Sequence, residues 1–207
     1  MPAGSIGKSA AQPARKSARD AVFEVAADLF YRKGIRAVGV ETIVKEAGVA
    51  KISLYRSFPS KDDLVVAYLE NRNAVFWQFW DEAFARHDGN PKAHLRAIMT
   101  YLAERTTKPG YRGCPFINYS AEFPEPSHPG HQVAIANKRE MRRRMLELAQ
   151  ALGAHEPGLL ADGLVLLIEG TYAISQTLGG RDSPGRAVVS AAQALVEGHL
   201  ARPRRRA

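Results

Sequence analysis

The sequence predicts an all-α fold of about nine helices, and three observations carry that expectation. Apolar residues recur at three- and four-residue steps along most of the chain, and the gaps between those runs hold Gly, Pro or helix-capping residues. No alternating strand-like run of useful length occurs, and no internal repeat. At 207 residues, 45% of them hydrophobic, about two-thirds of the chain's surface can be buried, enough for a core without covalent staples. A single Cys cannot close an intramolecular disulfide, which excludes the disulfide-rich secreted class. No apolar leader run opens the chain and no stretch of about eighteen consecutive apolar residues occurs, so a soluble, cytoplasmic protein without a membrane partner is expected.

Residues 1–16, rich in Ala, Ser, Gly, Pro and Lys, read as a disordered basic arm. From Ser17, the residues Ala18, Val22, Val25, Ala26, Leu29 and Phe30 share one helix face, and Gly34 after Arg32 and Lys33 stops it. Two short helices follow, Val40 to Ala47 and Lys51 to Phe58, with Gly48 between them and Pro59 after. Ser60, three residues ahead of Asp63, caps a longer helix through Leu64, Tyr68, Leu69, Phe76, Trp80 and Phe84. Helices are then expected over Pro91–Thr107, Pro115–Glu122 and Val133–Leu152, with Pro124, Pro126, Pro129 and Gly130 making a loop. Leu159–Leu178 is apolar over most of its circumference, as a helix buried on several sides would be. In Pro184–Leu200, Ala187, Ala191, Ala194 and Gly198 form a stripe of small residues along which a neighbouring helix can approach.

The charge is unevenly placed. Residues 1–61 hold 11 Lys+Arg against 5 Asp+Glu, residues 62–201 hold 14 against 16, and Arg202, Arg204, Arg205 and Arg206 add four more cations. A basic first quarter on a slightly acidic remainder suggests a polyanion-binding head. Basic termini that only solubilise would give the same totals. Within that quarter, the two short helices meet at a tight Ala47-Gly48-Val49 turn and fit a helix-turn-helix. Val40, Ile43, Val44, Val49 and Leu54 face inward, which leaves Lys51, Ser53, Arg56 and Ser57 outward as donors suited to base edges and phosphates. A helical hairpin with a solvated basic face is the plainer reading of the same pattern.

The run Leu29-Phe30 … Gly34 … Ile43 … Ala47-Gly48-Val49 … Leu54-Tyr55-Arg56-Ser57-Phe58-Pro59-Ser60-Lys61-Asp62-Asp63-Leu64 resembles the N-terminal domain of the tetracycline-repressor-like (TetR) family of transcriptional regulators, over about residues 17–65. Gly113-Cys114-Pro115-Phe116-Ile117-Asn118 … Glu122-Phe123-Pro124 … His128-Pro129 is similar to a subgroup of those regulators. The resemblance implies a helix-turn-helix DNA-binding domain over 17–62 and a helical ligand-binding and dimerisation domain over 63–201; the charge count alone marks a basic tail over 202–207. It implies that Lys51, Ile52, Ser53 and Arg56 approach base edges or flanking phosphates, that Tyr55 and Lys61 hold the backbone, and that Thr42 donates near the start of the second helix. Gly39 and Ala50 stand where the family often has Ser or Thr caps, which weakens both caps. Glu41 sits where a phosphate would lie.

The implied partners are a double-stranded, near-palindromic operator, a small-molecule effector and a second copy of the chain, paired through Leu159–Leu178 and Pro184–Leu200 as a four-helix bundle. The implied effector cavity is walled by Trp77, Trp80, Phe84, Met99, Leu102, Cys114, Phe116, Tyr119 and Tyr172, with Asn118, Glu169 and Gln176 as polar anchors, and suits a hydrophobic molecule. For any single one of these aromatic residues, a place in the core is favoured over contact with a ligand. Cys114, ahead of Pro115, stands at a helix start where a thiol reacts more readily, or is simply a small buried residue. Glu122, Glu125, His128 and His131 have the spacing of metal ligands, but three prolines prevent one helix from aligning them, and no metal or other cofactor is expected. No Gly-rich phosphate loop or nucleophile elbow points to an enzyme. The expectation is therefore a repressor released from DNA by a small hydrophobic effector. A thiol- or metal-responsive regulator, and a helical enzyme or interaction module with a vestigial basic head, are the alternatives.

Overall fold

The computed structural model describes residues 16–87 and 89–200; the expected N-terminal arm, apart from Lys16, and the basic tail lie outside them. Among the described residues there are nine α-helices and two single 3-10 turns, with no strand. Helix α1 (Ala18–Lys33) starts where the Ser17 hydroxyl accepts a bond from the Asp20 N–H at 3.1 Å, and ends at Gly34, whose φ of +91° suits only glycine. Helices α2 (Val40–Ala47) and α3 (Lys51–Ser57) meet at Gly48 in the left-handed region. Their starts at Gly39 and Ala50 carry no side-chain cap, as the residue types foretell. Val22, Ala26, Phe30, Ile43, Leu54 and Leu64 bury themselves together, so the three short helices share one core with the start of α4 (Lys61–Ala85).

The capping box between Ser60 and Asp63 sets the first residue of α4, and 25 residues without a break carry this helix about 37 Å into the rest of the molecule. There it packs on α5 (Pro91–Thr106) and α7 (Gly130–Ala151), while α6 (Pro115–Glu122) bridges its lower part. Helix α8 (Pro157–Ile174) lies between α7 and α9 (Val188–Leu200), and α9 returns against α5. Trp80, Met99, Leu102, Met141, Met145 and Leu164 form the middle of this second cluster, which is continuous with the core of the first three helices.

Three boundaries differ by three residues or more from the sequence reading. Helix α7 begins at Gly130, three residues before Val133, because the His128 imidazole accepts from the Gly130 N–H at 3.1 Å and a glycine there leaves room for the Tyr119 ring. Helix α8 ends at Ile174, short of Leu178, since the chain turns through Ser175–Leu178. The segment Pro184–Ala187 is a 3-10 turn, so α9 starts only at Val188. Helix α8 is also, over 18 residues of mean hydropathy 1.3, long and apolar enough to cross a membrane by composition alone, although Asp162 and Glu169 interrupt its apolar run. Its two carboxylates explain its place instead: Asp162 pairs with Arg142 at 2.6 Å and Glu169 with Lys138 at 2.7 Å, which fastens α8 along α7.

Candidate nucleic-acid interface and effector cavity

Helix α3 is held by a single fully buried side chain, Leu54, and turns the rest of its length outward. Lys51, Ile52, Tyr55 and Arg56 are exposed, Ile52 to 69%. Ser53 and Thr42 are half-buried beside them, and the Ser57 hydroxyl is turned back onto the Ser53 carbonyl at 3.1 Å, so Ser57 does not point outward as its spacing suggests. Lys51 is paired with Glu41 of α2, and that carboxylate raises its pKa, first through their hydrogen bond. Lys61 is directed inward: its ammonium donates to the Ile35 carbonyl at 2.7 Å and burial lowers its pKa. Two of its three hydrogens are left for any phosphate.

The first three helices are tied to the rest of the molecule through three polar joints. The Tyr31 hydroxyl accepts from the Arg112 N–H at 3.0 Å and reaches the Gly113 carbonyl at 3.3 Å. The Arg36 N–H donates to the Glu122 carboxylate at 2.7 Å, while its guanidinium lies on the Phe123 ring and reaches Glu125 at 3.3 Å. His128 accepts the Gly130 N–H on Nδ1, where the Tyr119 hydroxyl also lies at 2.7 Å, which places its proton on Nε2, 3.5 Å from Asp62 at the start of α4. His131 is bonded to the Phe123 carbonyl at 2.8 Å. The four residues with metal-like spacing therefore each have another partner, and three of them belong to these joints.

Two cavities lie in the second cluster. The larger, about 270 Å³, opens between α5 and α9 and includes Met99. The smaller, about 50 Å³, abuts the Tyr31 joint between α4, α5, α6, α7 and α8. Of the side chains expected to wall an effector cavity, Cys114, Phe116 and Tyr172 line this smaller one. The others are engaged elsewhere. Trp80 is buried against Phe76 and Phe84, and Leu102 is core. Trp77 lies under the Arg144 guanidinium at 4.4 Å and donates to Asn73, facing α7. Phe84 packs on the His94 ring. Tyr119 belongs to the His128 joint. Asn118 donates to the Arg112 carbonyl at 2.6 Å and accepts from Gln176 at 3.2 Å, so these two join α6 to the end of α8. Glu169 is the partner of Lys138.

What the residue reading missed around the smaller cavity is its charge. Arg72, Arg105 and Lys138 line it together with Tyr101, Tyr111 and Asn137. The signal was present: Arg72 lies four residues from both Tyr68 and Phe76 in the apolar stripe of α4, Arg105 three after Leu102, and Lys138 three before Met141. Cations at core spacing face inward. Burial pushes the Tyr68 hydroxyl up to about 12 and also raises Tyr111 and Tyr172, so all three remain neutral. Cys114 supplies the first backbone position of α6 without a side-chain cap, and its sulfur lies 3.6 Å from the Lys138 ammonium.

Outside the core, the second cluster presents a continuous apolar face. Leu166 of α8 is 72% exposed, Leu159 is exposed with it, and Gly163, Leu167, Ala191 and Leu195 form a shallow groove between α8 and α9. Helix α9 buries Val188, Ala192 and Val196 against its own chain and leaves Ala194 and Gly198 facing out, with Ala187 of the preceding turn exposed as well.

A helix-turn-helix joined to an all-helical unit with an apolar outer face defines a class of one-component transcriptional regulators, and comparison with known proteins is consistent with it. The family model for bacterial regulatory proteins of the tetR family matches residues 22–68. The TetR-family regulator SCO4454 of Streptomyces coelicolor has 30% identity over 88% of this chain and 94% of its own, with a TM-score of 0.78. A putative TetR regulator, sav143, of Streptomyces avermitilis has 30% identity over 90% of this chain and all of its own, with a TM-score of 0.77. The transcriptional regulator AcuR of Cereibacter sphaeroides is 28% identical over 79% of this chain and 78% of its length. The chain belongs to the TetR family of transcriptional regulators. Members of that family bind DNA operators and dimerise, and its regulators are not enzymes.

Proposed function

We propose that the protein is a cytoplasmic, homodimeric repressor that leaves a near-palindromic operator when a small, largely apolar effector occupies the second unit. Residues 17–62 serve as the DNA-binding unit and 63–201 as the effector and dimerisation unit. The observation that carries this reading is α3: one buried anchor, Leu54, and a row of exposed side chains, Lys51, Ile52, Tyr55 and Arg56, on a helix short enough to enter a major groove. One such helix reads only a few base pairs. Pairing of α8 and α9 with those of a second copy buries the Leu159–Leu166 face and presents two α3 helices to successive grooves. Thr42, Ser53 and Lys61 supply phosphate contacts that set register, and Ile52 and Arg56 reach base edges.

Selection of bound fragments from genomic DNA, followed by gel shifts over a salt series, tests this. Specific binding survives competitor DNA and weakens steeply with salt, and the recovered site has two-fold symmetry. Failure to retain any duplex at low ionic strength removes the reading. A thiol-responsive form of the same switch is favoured by one contact, Cys114 beside Lys138. If Cys114→Ser leaves DNA release by peroxide and quinones unchanged, that form is excluded.

A further inference from the structure

We infer that the cavity beside Tyr31 takes a small organic acid, its carboxylate held among Arg72, Arg105 and Lys138 and its stem laid against the aromatic walls. The inference rests on reading the second unit as an effector sensor, and it names the effector's chemistry.

Three cations and no carboxylate line this space. Lys138 shares its charge with Glu169, but among the described residues neither Arg72 nor Arg105 forms an ion pair. Their guanidinium groups rest on rings instead, Arg72 on Tyr31 and Tyr68 at 5.2 and 5.4 Å, Arg105 on Tyr101 and Tyr111 at 5.8 Å each, and Arg105 Nη1 donates to the Tyr101 hydroxyl at 2.8 Å. Stacking of this kind offsets part of the cost of taking a cation from water, but satisfies few of its N–H donors. The Arg72 Nε–H is buried without a partner. An anion is the group that answers that deficit, and a guanidinium fork fits a carboxylate edge.

A second set of observations agrees. Helix α6 begins on the cavity wall with Cys114, Pro115 and Phe116, and no side chain caps it, so the positive end of its dipole is open to an anion there. Asn137 is 1% exposed, and its orientation is fixed: the Trp77 indole N–H and the Asn137 amide N–H both donate to Asn73 Oδ1, at 2.8 and 2.9 Å. The Asn137 Oδ1 is thereby left buried without a donor; a carboxylate, itself an acceptor, does not answer it, and it asks instead for a hydroxyl on the stem of the acid. A cation is opposed by all three charges. The remaining wall is aromatic, including Phe76, Phe79 and Tyr172, which favours a carbon stem over a bare inorganic anion. The cavity's 50 Å³, against about 150 Å³ for a cavity that holds benzene, favours a short chain, and a ring enters only if the walls move well apart.

The same groups connect the cavity to α1. Arg72 bridges from the cavity to the Tyr31 ring, and the Tyr31 hydroxyl is bonded to the Arg112–Gly113 turn that leads into Cys114. A carboxylate that draws Arg72 inward loosens its stack on Tyr31 and shifts that turn. The effector thereby acts on the joint it adjoins.

The test is calorimetric titration of the full-length protein, without DNA, with propionate and benzoate, their amides propionamide and benzamide, and inorganic phosphate. At least one acid is expected to bind saturably, its amide at least about tenfold more weakly, as loss of a charged hydrogen bond requires. Arg72→Met and Lys138→Met are each expected to weaken the acid by about tenfold or more, with thermal melting to confirm that the variants are folded. Lys92→Met, in the larger cavity, leaves acid binding unchanged. Equal binding of acid and amide overturns the inference, as does phosphate binding tighter than either acid, or no uptake of either acid at tens of millimolar. The acid and amide pair uses the unaltered protein, so a misfolded variant cannot decide the outcome. DNA binding without acid binding removes this inference alone, and acid binding by a protein that ignores DNA removes the repressor reading alone.

Discussion

The Lys51 ammonium at the start of α3 is paired with the Glu41 carboxylate near the start of α2, across the turn of the helix-turn-helix. Both side chains are exposed, so the pair is worth little to the fold. It matters to any polyanion that approaches, because Glu41 holds the first cation of the recognition helix and adds a negative charge where phosphates would pass.

Glu41→Gln is therefore expected to tighten operator binding by a few-fold, up to about tenfold, and to steepen the slope of log K against log salt by about 0.9, one more phosphate neutralised. Gel shifts on the selected operator at several salt concentrations measure both. An unchanged slope means that Lys51 does not reach the DNA backbone.

Leu54 and Ile52 are two positions apart on the same helix with opposite burial, 0% and 69% exposed. Leu54→Ala should cost about 2–5 kcal/mol of stability by opening a cavity under α3. Ile52→Ala should fall within about 0.5 kcal/mol of the parent while altering which fragments are selected. Chemical denaturation with fragment selection separates the two, and an Ile52 variant with unaltered site preference would place that side chain outside base readout.

The N-terminal helices were legible because their signals are local. Ser17, Gly34, Gly48 and the Ser60–Asp63 box each fix a boundary with groups at most a few residues away. The start of α7 was not, because Pro129-Gly130 reads as loop and what begins the helix is an imidazole bond. The effector wall was legible only in part for a related reason. Trp77, Trp80 and Phe84 are aromatic and lie at helical spacing, which marks a core as readily as a cavity, and Trp80 fills the core. Arg72, Arg105 and Lys138 converge only once α4, α5 and α7 are placed in space.

The bond from the Arg36 N–H to the Glu122 carboxylate joins the loop after α1 to the end of α6. Glu122→Gln keeps the shape and weakens the acceptor, so the expected cost to stability is at most about 1–2 kcal/mol. Coupling should suffer more. With α6 less firmly attached to Arg36, the ratio of operator affinities with and without effector should shrink towards one, while effector affinity measured without DNA changes little. A ratio equal to that of the parent would exclude this joint from the switch.

Glu140 is held down to about 2, first by its hydrogen bond from Arg143, then against some burial by that from Arg144. A carboxyl whose folded pKa lies below its unfolded value of about 4.3 contributes stability that is fully present above that value and is lost as pH falls towards 2. Solvent around these side chains screens the contribution. Glu140→Gln should accordingly lower the melting temperature near neutrality and flatten its decline between about pH 4.5 and 2. Parallel melting curves for parent and variant across that window would show that the Arg143–Glu140–Arg144 cluster is incidental to acid stability.

Leu166 stands 72% exposed at the centre of the α8 face, beside a groove floored by Gly163 and Ala191. Leaving such a side chain in water forgoes about 1.5–3 kcal/mol relative to burial, and Leu159 and the outward stripe of α9 add to the same patch. In a two-fold dimer each such residue is buried twice, so Leu166→Glu places two like charges in one apolar interface. The variant should run as a monomer at micromolar concentration by sedimentation, with helicity unchanged because Leu166 supports nothing within its own chain. Operator affinity should fall by about 100-fold or more, since a single α3 then reads a half-site without its partner. A variant that is still dimeric and still binds the full site would show that the second copy is held elsewhere, and a parent protein that is itself monomeric would remove the paired-helix arrangement altogether.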